Sequence, residues 1–219
     1  MVESSENLLW NEQSFSDAYT KKDYNTIEFY KMIKDLNFTT VLDVGCARGG
    51  LFKALHSKSK KCKYTGIDIS RNMILANKKE FRNAKWHIGS VTKLPFPDSS
   101  FDIVVCADVL IHLPSDAWKQ GFDECVRVSK RFAVLRIRTK LFGKTVHGFQ
   151  NVSGKTVPYV IFGSDFFHYI KRSARLVEKK SSLRLYDTDG KYSRCFSLGF
   201  PYKHHIPAFV TSLVLEKKC

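Results

Sequence analysis

Residues 41–50 read VLDVGCARGG, and the fold is easiest to predict outward from this stretch. The apolar residues of 41–44 predict a buried strand, and the glycines that follow predict a tight turn. Residues 51–55 then carry apolar side chains at helical spacing. Strand, glycine turn and helix in this order are typical of the first unit of a nucleotide-type sheet, because glycine lets the backbone approach a ligand closely. Taken alone, the stretch leaves cofactor binding and an ordinary turn both open.

A second predicted strand, at residues 63–69, ends near an acidic residue. Asp68 follows Asp43 by 25 residues. A carboxylate at this place can accept hydrogen bonds from the two hydroxyl groups of a ribose. A turn residue that only ends the strand is the alternative interpretation. We expect Ser70 to be the N-cap of a helix that runs to about Phe81.

Strands and helices alternate through the rest of the chain, which predicts an α/β fold with a parallel sheet and helices on both of its faces. Further strands are expected at residues 85–90, 101–107, 132–138, 183–186 and 208–215. Further helices are expected at residues 27–36, 115–128 and 165–175. The glycines of residues 140–163 predict one long loop, and residues 187–207 predict another.

The excess of basic residues that gives the net charge of +15 is found after residue 40. Residues 1–40 carry 4 basic and 7 acidic side chains, residues 41–139 carry 18 and 9, and residues 140–219 carry 14 and 5. The lysines are dispersed rather than gathered in one block, which favours an ordinary solvated surface. A surface that binds RNA or another polyanion is the alternative.

Composition bounds the class of protein. Hydrophobic residues make up 43% of the 219 residues, which is enough for a packed core. We expect no membrane span and no secretory signal, because the chain lacks a long apolar run and its first residues are polar and acidic. The six cysteines are scattered without CxxC spacing, so reduced thiols in a cytoplasmic protein without a metal site are expected. The sequence does not indicate an oligomeric state.

Four motifs in order resemble those of the class I S-adenosylmethionine-dependent methyltransferases. They are DVGCARG at 43–49, GIDIS at 66–70, LPFPDSSFD at 94–102 and ADVLIH at 107–112. The set is similar to the branch that includes ubiquinone-biosynthesis C-methyltransferases and many small-molecule enzymes. The resemblance implies a Rossmann-like, doubly wound sheet of seven strands, mostly parallel with an antiparallel last strand.

The resemblance also implies a division of the chain into three parts. Residues 1–40 would form an N-terminal helical cap, and residues 41–139 would form the core that binds S-adenosylmethionine. Residues 140–219 would supply substrate-facing loops, a helix and a terminal β-hairpin that complete the same domain. The cofactor is therefore expected to be S-adenosyl-L-methionine.

The glycine turn is implied to hold the methionine end of that cofactor, through Asp43, Gly45 and Gly49, with Cys46 and Ala47 in the same turn. Ala47 stands where the family has its second glycine, and because alanine is still small we expect the turn to survive. An acid such as Asp43 suits a cationic cofactor better than it suits a pyrophosphate.

Other residues are implied to hold the nucleoside and the methyl group. Asp68 would bind the ribose hydroxyls and Ile69 would pack on the adenine. Ser90 and Val91 would flank the adenine edge, and Ala107 would lie near the methyl group. The family often has an acid where this chain has Ser90, so the N–H of Val91 is the expected adenine contact.

The acceptor pocket is expected where the predicted strands end, because ligands of open α/β sheets bind outside the carboxyl ends of the strands. The two long loops would form its walls. Candidate substrate residues are Tyr19, Tyr192, Phe200, Tyr202 and His204. The loop aromatics can instead pack as a satellite core, and the N-terminal aromatics from Trp10 to Tyr24 can form either a flap over the pocket or a helix on the core.

His112 is the candidate catalytic residue. A hydroxyl or ammonium nucleophile must lose a proton when it is methylated, and histidine is a common base. A structural histidine that bridges backbone groups is the alternative. The chain is thus expected to methylate an oxygen or nitrogen of a small molecule. A saccharide acceptor is suggested because residues 157–162 faintly resemble methyltransferases of surface polysaccharides. An RNA-modifying methyltransferase and a non-catalytic cofactor-binding partner subunit are the alternatives.

Overall fold

The computed structural model describes residues 10–11, 30–31, 33–59, 61–114, 116–140, 143–152, 155–177, 181–187 and 209–217. Among the described residues from 34 onward the chain forms nine strands and four α-helices, and residues 30, 31 and 33 are also helical. The strands are β1 Thr40–Val44, β2 Lys63–Asp68, β3 Lys85–Ile88, β4 Phe101–Ala107, β5 Ser129–Thr139, β6 Val146–Val152, β7 Lys155–Ile161, β8 Ser181–Asp187 and β9 Phe209–Lys217. The helices are α1 Gly50–Ser57, α2 Arg71–Glu80, α3 Ala117–Val128 and α4 Ser164–Val177, and a short 3₁₀ helix spans Leu110–His112.

Seven of the strands form one sheet in the order β3-β2-β1-β4-β5-β9-β8. Strands β1 to β5 pair in parallel, whereas β9 runs antiparallel to both β5 and β8. The predicted doubly wound, mostly parallel sheet of seven strands with an antiparallel last strand is therefore confirmed. Its centre is apolar because β4 supplies four consecutive residues, 103–106, that are fully buried, as expected for a strand covered on both faces.

Two apolar layers cover the sheet. On one face, α1 and α2 contribute Leu51 and Ile74 to a cluster that also contains Trp86 of β3. On the other face, α3 and α4 contribute Trp118 and Phe166, among others. Strands β1, β2, β4 and β5 pair in parallel, so their carboxyl ends lie at the same edge of the sheet. The connections between them cross over the faces of the sheet.

The prediction of one long loop over residues 140–163 is wrong. Strands β6 and β7 pair there as an antiparallel hairpin that forms a second, two-stranded sheet. The hairpin is held because Tyr159, Val160 and Ile161 of β7 are buried in the main core. Pro158, which indicated a loop, is tolerated opposite Phe149 in this two-stranded ribbon, where an edge position suits a residue without an N–H.

Other boundaries differ by a few residues. β3 ends at Ile88, which leaves Ser90 in the loop that follows. Ser70 caps α2 as predicted, since its side chain accepts a hydrogen bond from the N–H of Met73. Within the described ranges, none of the helices is both long enough and apolar enough to cross a bilayer. Most of the predicted N-terminal cap, residues 1–40, lies outside the described residues.

Candidate active site

The glycine turn after β1 is approached closely by the side chain of Val109, which follows β4. Gly45 has a φ of 71°, and a Cβ atom added there would lie 2.1 Å from a methyl carbon of Val109. Only glycine fits this position without displacing Val109. The N–H groups of Gly45 and Cys46 both donate to the carbonyl of Ile67, at 2.8 and 3.2 Å, so the turn is also fastened to the end of β2.

Ala47 takes a left-handed conformation, with a φ of 43°, at the place where the family has glycine. Its carbonyl accepts a hydrogen bond of 2.6 Å from the side-chain amide of Asn77, which is fully buried on α2. Asn77 therefore holds the turn in its shape from the neighbouring helix. No role was predicted for Asn77, although a polar residue on the buried face of a predicted helix is a usable signal.

Asp68 fastens the other side of the turn. One oxygen of its carboxylate accepts from the N–H of Ala47 at 2.9 Å, and the other accepts from the N–H of Ser70 at 2.8 Å. Burial raises the pKa of Asp68, and the hydrogen bonds from Ser70 and Ala47 oppose that rise. The two carboxylate oxygens offer about four lone-pair sites, so beside these donors and the N–H of Ile69 the carboxylate keeps capacity for a further donor such as a ribose hydroxyl.

Asp43 lies beneath the turn. The hydroxyl of Tyr64 donates to its carboxylate over 2.5 Å, and the Asp43 residue is only 6% exposed. Burial raises the pKa of Asp43 to about 7; the hydrogen bond from Tyr64 lowers it, and the nearby Asp68 raises it further. A carboxyl group with this pKa is about half protonated near pH 7 and loses its proton when a cation binds beside it.

The predicted adenine residues follow β2 and β3 at the same edge of the sheet. The hydroxyl of Ser90 lies 2.8 Å from that of Thr92 and also accepts from the N–H of Thr92 at 3.2 Å. Its side chain is thus used within its own turn. The N–H of Val91 makes no hydrogen bond to any residue in the described part of the chain. Ile69, which follows Asp68 in the sequence, is half-buried.

Asp108 directly follows Ala107, the last residue of β4, and has a left-handed φ of 56°. Its Oδ2 atom accepts from the Nε of Arg136 at 2.9 Å and from a second guanidinium nitrogen of the same residue. Its Oδ1 atom is buried and has no hydrogen-bond partner among the described residues. Backbone strain combined with an unsatisfied buried acceptor is characteristic of ligand sites.

His112 ends the 3₁₀ helix after β4, and its Nδ1 lies 3.0 Å from the carbonyl oxygen of Pro158 on β7. Two aromatic rings flank the imidazole: the ring centroid of Trp10 is 5.3 Å away and that of Tyr159 is 6.2 Å away. Burial lowers the pKa of His112, and the hydrogen bond to Pro158 opposes this shift. The imidazole is accordingly neutral near pH 7.

Trp10 and Asn11 connect this position to the start of α2. The side-chain oxygen of Asn11 accepts from the N–H of Arg71 at 2.7 Å, and its carbonyl accepts from the side chain of Asn72 at 2.5 Å. The described part of the N-terminal segment thus reaches from the ribose side of the site to His112. The flap and the helix on the core both stay predictions, because residues 12–24 lie outside the described ranges.

The predicted substrate residues lie outside the described ranges; they are Tyr19, Tyr192, Phe200, Tyr202 and His204. Among the described residues, no group of three or more histidine, cysteine or acidic side chains is arranged to hold a metal ion. The structure therefore brings together Asp43, Asp68, Asp108 and His112, of which Asp108 was missed.

Comparison with known proteins agrees with this geometry. Residues 41–131 match the family described as "Methyltransferase domain". A demethylmenaquinone methyltransferase of Thermotoga maritima is 30% identical over 147 residues, 64% of this chain and 62% of the relative. A ubiquinone/menaquinone biosynthesis C-methyltransferase of Rickettsia bellii is 33% identical over 113 residues, 47% of this chain and 44% of the relative. The chain thus spans less than two thirds of these relatives.

A solved structure of similar fold is that of Burkholderia thailandensis 1,6-didemethyltoxoflavin-N1-methyltransferase with bound 1,6-didemethyltoxoflavin and S-adenosylhomocysteine. The TM-score is 0.63 at 12% identity, and the alignment covers 100% of this chain and 92% of that one. The sheet order, the glycine turn and the matched family define a class I methyltransferase domain. Residues 41–131 are thus similar to S-adenosylmethionine-dependent methyltransferases, and the sheet has the order of the class I fold.

Proposed function

We propose that this protein transfers the methyl group of S-adenosyl-L-methionine to an oxygen or nitrogen atom of a small-molecule acceptor. The observation that carries the proposal is the hydrogen bond between His112 and Pro158. A carbonyl oxygen can only accept, so the Nδ1 of a neutral His112 carries the proton and its Nε2 is left as a base. That base lies at the sheet edge that also carries the glycine turn and Asp68.

The cofactor fits the charges found at this edge. S-adenosylmethionine supplies the electrophilic methyl group on a sulfonium and carries an ammonium. The acceptors available to these cations are the carboxylate of Asp43 and the unsatisfied Oδ1 of Asp108. We propose that Gly45, Cys46, Ala47 and Gly49 line the methionine end, and that Asp68 binds the ribose. We further propose that Ile69, Ser90 and Val91 contact the adenine, and that Ala107 lies near the methyl group.

The chain has two tasks in such a reaction. It must place the nucleophile in line with the methyl–sulfur bond, at about 3 Å, and it must exclude water. It must also accept a proton from a hydroxyl or ammonium nucleophile, and we assign this to the Nε2 of His112. Trp10 and Tyr159 flank His112 and can hold a flat acceptor against it.

The atom that is methylated is decided by the acceptor. The Thermotoga and Rickettsia relatives carry the names of enzymes of menaquinone and ubiquinone biosynthesis, and the second is named as a C-methyltransferase. A phenol that loses its proton to His112 can react at oxygen or at a ring carbon, so product identification is needed. A saccharide acceptor has weaker support, because Val157 and Val160 of the stretch that suggested it are buried.

The test is turnover of methyl-labelled S-adenosylmethionine with a panel of hydroxylated and amino-bearing aromatic compounds and sugars. Products are identified by mass spectrometry and NMR. Calorimetry with S-adenosylhomocysteine measures cofactor binding independently of the acceptor. Binding without turnover on any acceptor in the panel would favour the non-catalytic partner subunit over the enzyme. Absence of binding would contradict the cofactor assignment itself.

An RNA acceptor is the second candidate, and the net charge of +15 favours it. Binding of a polyanion through lysine and arginine weakens steeply as salt rises, because bound counterions are released. A gel-shift series with total RNA fragments between low and physiological salt tests this reading. Binding that is absent even at low ionic strength would remove it.

A further inference from the structure

Arg136 and Arg138 lie two residues apart on β5, so their side chains project from the same face of the sheet. Arg136 is buried and its guanidinium is paired with Asp108. Arg138 is half-buried, and no carboxylate within the described part of the chain forms an ion pair with it. Among the described residues, the carboxylate of Asp108 pairs with Arg136, and no described carboxylate pairs with Arg138 at the carboxyl end of β5.

The groups around Arg138 are those of the proposed acceptor site. Its positive charge acts on the hydroxyl of Tyr159 and on the imidazole of His112, and the ring centroids of these two residues lie 6.2 Å apart. Phe162 donates from its N–H to the carbonyl of Arg138 at 2.9 Å, which fixes the backbone of β5 against the end of β7. Among the described residues, the titratable and charged groups that face this position are Asp108, His112, Arg136 and Tyr159.

We propose that Arg138, together with the hydroxyl of Tyr159, binds a negatively charged group of the methyl acceptor, and that the acceptor is a planar carboxylic acid. A half-buried guanidinium that no carboxylate of the described residues pairs with gains from a ligand that supplies one, and its fork of N–H groups matches a carboxylate. Trp10, His112 and Tyr159 provide the flat walls. This inference rests on the proposed methyl transfer and specifies its substrate class.

The cofactor's own carboxylate is the competing partner for Arg138. The sheet order argues against it, because the glycine turn follows β1 while Arg138 lies on β5, with β4 between them. The Asp108–Arg136 pair also stands on that path, at the end of β4. A substitution of Arg138 should consequently weaken acceptor binding and leave cofactor binding unchanged.

The experiment compares acids with their uncharged amides. Benzoate, 4-hydroxybenzoate and 3,4-dihydroxybenzoate, each beside its amide, are titrated into the full chain by calorimetry, with and without saturating S-adenosylhomocysteine. The variants are Arg138→Met, which keeps the aliphatic stem, and Arg138→Lys, which keeps the charge. The matched control is Arg131→Met at the opposite end of the same strand, where the guanidinium donates to the carbonyl of Asn37 at 2.8 Å.

In the wild type, at least one acid should bind about tenfold or more tightly than its amide, as expected for a charge-assisted pair. Arg138→Met should abolish this preference, Arg138→Lys should retain part of it, and Arg131→Met should retain all of it. S-adenosylhomocysteine should bind all four proteins within about threefold. Equal binding of acids and amides by the wild type, or a preference that survives Arg138→Met, would overturn the inference.

Two further outcomes separate this inference from the proposed function. If Arg138→Met loses affinity for S-adenosylhomocysteine while Arg131→Met does not, Arg138 holds the cofactor carboxylate and the acceptor assignment is overturned. If the wild type fails to bind S-adenosylhomocysteine, the proposed function is wrong. The titrations without cofactor still decide whether Arg138 selects an acid, and loss of the preference in Arg138→Met would support that part.

Discussion

The Nδ1 atom of His112 lies 3.0 Å from the carbonyl oxygen of Pro158, across 46 residues of sequence. This contact joins the 3₁₀ helix after β4 to the hairpin strand β7, and it fixes the imidazole in one tautomer. The same arrangement, in which one ring nitrogen is anchored and the other is left as a base, orients the histidine of hydrolytic triads. The hairpin β6–β7 is thereby part of the candidate catalytic apparatus.

Replacing His112 by glutamine should lower kcat by about a hundredfold to ten-thousandfold, the usual range for loss of a general base. Affinity for S-adenosylhomocysteine should stay within a few-fold, because His112 is assigned to the acceptor. The control is His168→Gln, since the exposed His168 also has its Nδ1 bonded to a carbonyl, that of Ser164 at 2.7 Å. Full activity of His112→Gln would show that His112 is structural.

The pH dependence of kcat/KM for the acceptor, measured at saturating S-adenosylmethionine so that Asp43 is already ionised beside the cofactor, gives a second measure of His112. The base must be neutral, so the rate should fall as the pH drops through the pKa of His112. Burial lowers that pKa from its ordinary value of 6.5, so activity should persist below pH 6.5. An acid limb above pH 6.5, or one that survives in His112→Gln, would contradict this assignment.

Asp68→Ala should weaken binding of S-adenosylhomocysteine at least about tenfold, because hydrogen bonds to a charged group are worth about 1.5–3 kcal/mol each. Asp68 also holds the N–H groups of Ala47 and Ser70, so a loss of affinity alone does not prove contact with the ribose. Comparison of adenosine with 2′-deoxyadenosine separates the two roles. The wild type should prefer adenosine, and the variant should not.

The control for this experiment is Asp35→Ala, which removes an exposed carboxylate that pairs only loosely with Lys34, at 3.6 Å. Its affinity for both nucleosides should equal that of the wild type. If Asp68→Ala weakens adenosine and 2′-deoxyadenosine by the same factor, Asp68 acts only on the shape of the turn. Unchanged affinity would remove both roles.

The parts of the fold and site that the sequence predicts are local. The strand, turn and helix around Gly45 follow from residue types within ten positions, and the same holds for Ser70 as an N-cap. Parallel pairing then brings Asp68 and His112 to one edge by topology alone. These features do not depend on contacts between side chains that are distant in the sequence, so the order of the motifs was enough to predict them.

The parts that were missed depend on contacts between distant residues. The hairpin β6–β7 forms because the side chains of Val157 and Tyr159 are buried, whereas the glycines and the proline of this segment locally indicate a loop. The pair between Asp108 and Arg136 spans 28 residues, and neither residue type predicts the other. Asn77 was missed because its partner is a backbone carbonyl in the glycine turn.

Ala47→Gly should stabilise the protein by about 0.5–1 kcal/mol. Alanine in the left-handed region is strained by about 1–2 kcal/mol, and the greater freedom of glycine in the unfolded chain offsets part of the gain. The φ of 43° at Ala47 motivates the change. Urea unfolding measures it, with Ala54→Gly in α1 as the control, which should destabilise because Ala54 is helical and buried. A loss of stability in Ala47→Gly would show that the turn is not strained.

The buried carboxyl of Asp43 should make the stability of the cofactor-free protein depend on pH. Its pKa is about 7 in the folded chain, and the ordinary aspartate pKa of 3.8 applies to the unfolded chain. Between these values the native state holds a proton that the unfolded state has lost. Stability therefore falls as the pH rises through this window, by the linkage between proton binding and folding. Thermal unfolding between pH 4 and 8 measures the effect. Asp43→Asn should remove the part of the pH dependence that Asp43 contributes, while its side-chain oxygen can still accept the hydrogen bond from Tyr64.

The same carboxyl should release a proton when the cofactor binds, because a cation beside it favours the ionised form. Titrations of S-adenosylmethionine at pH 6.5, in buffers of different ionisation enthalpy, report the number of protons released. The groups that act on Asp43 are Tyr64 and Asp68, and burial raises the pKa of both. We therefore expect the wild type to release protons on binding the cofactor and Asp43→Asn to release fewer. Any release that remains in Asp43→Asn should disappear when Asp68→Asn is added. Equal release by the wild type and Asp43→Asn would assign the proton to another group and leave Asp43 a structural partner of Tyr64.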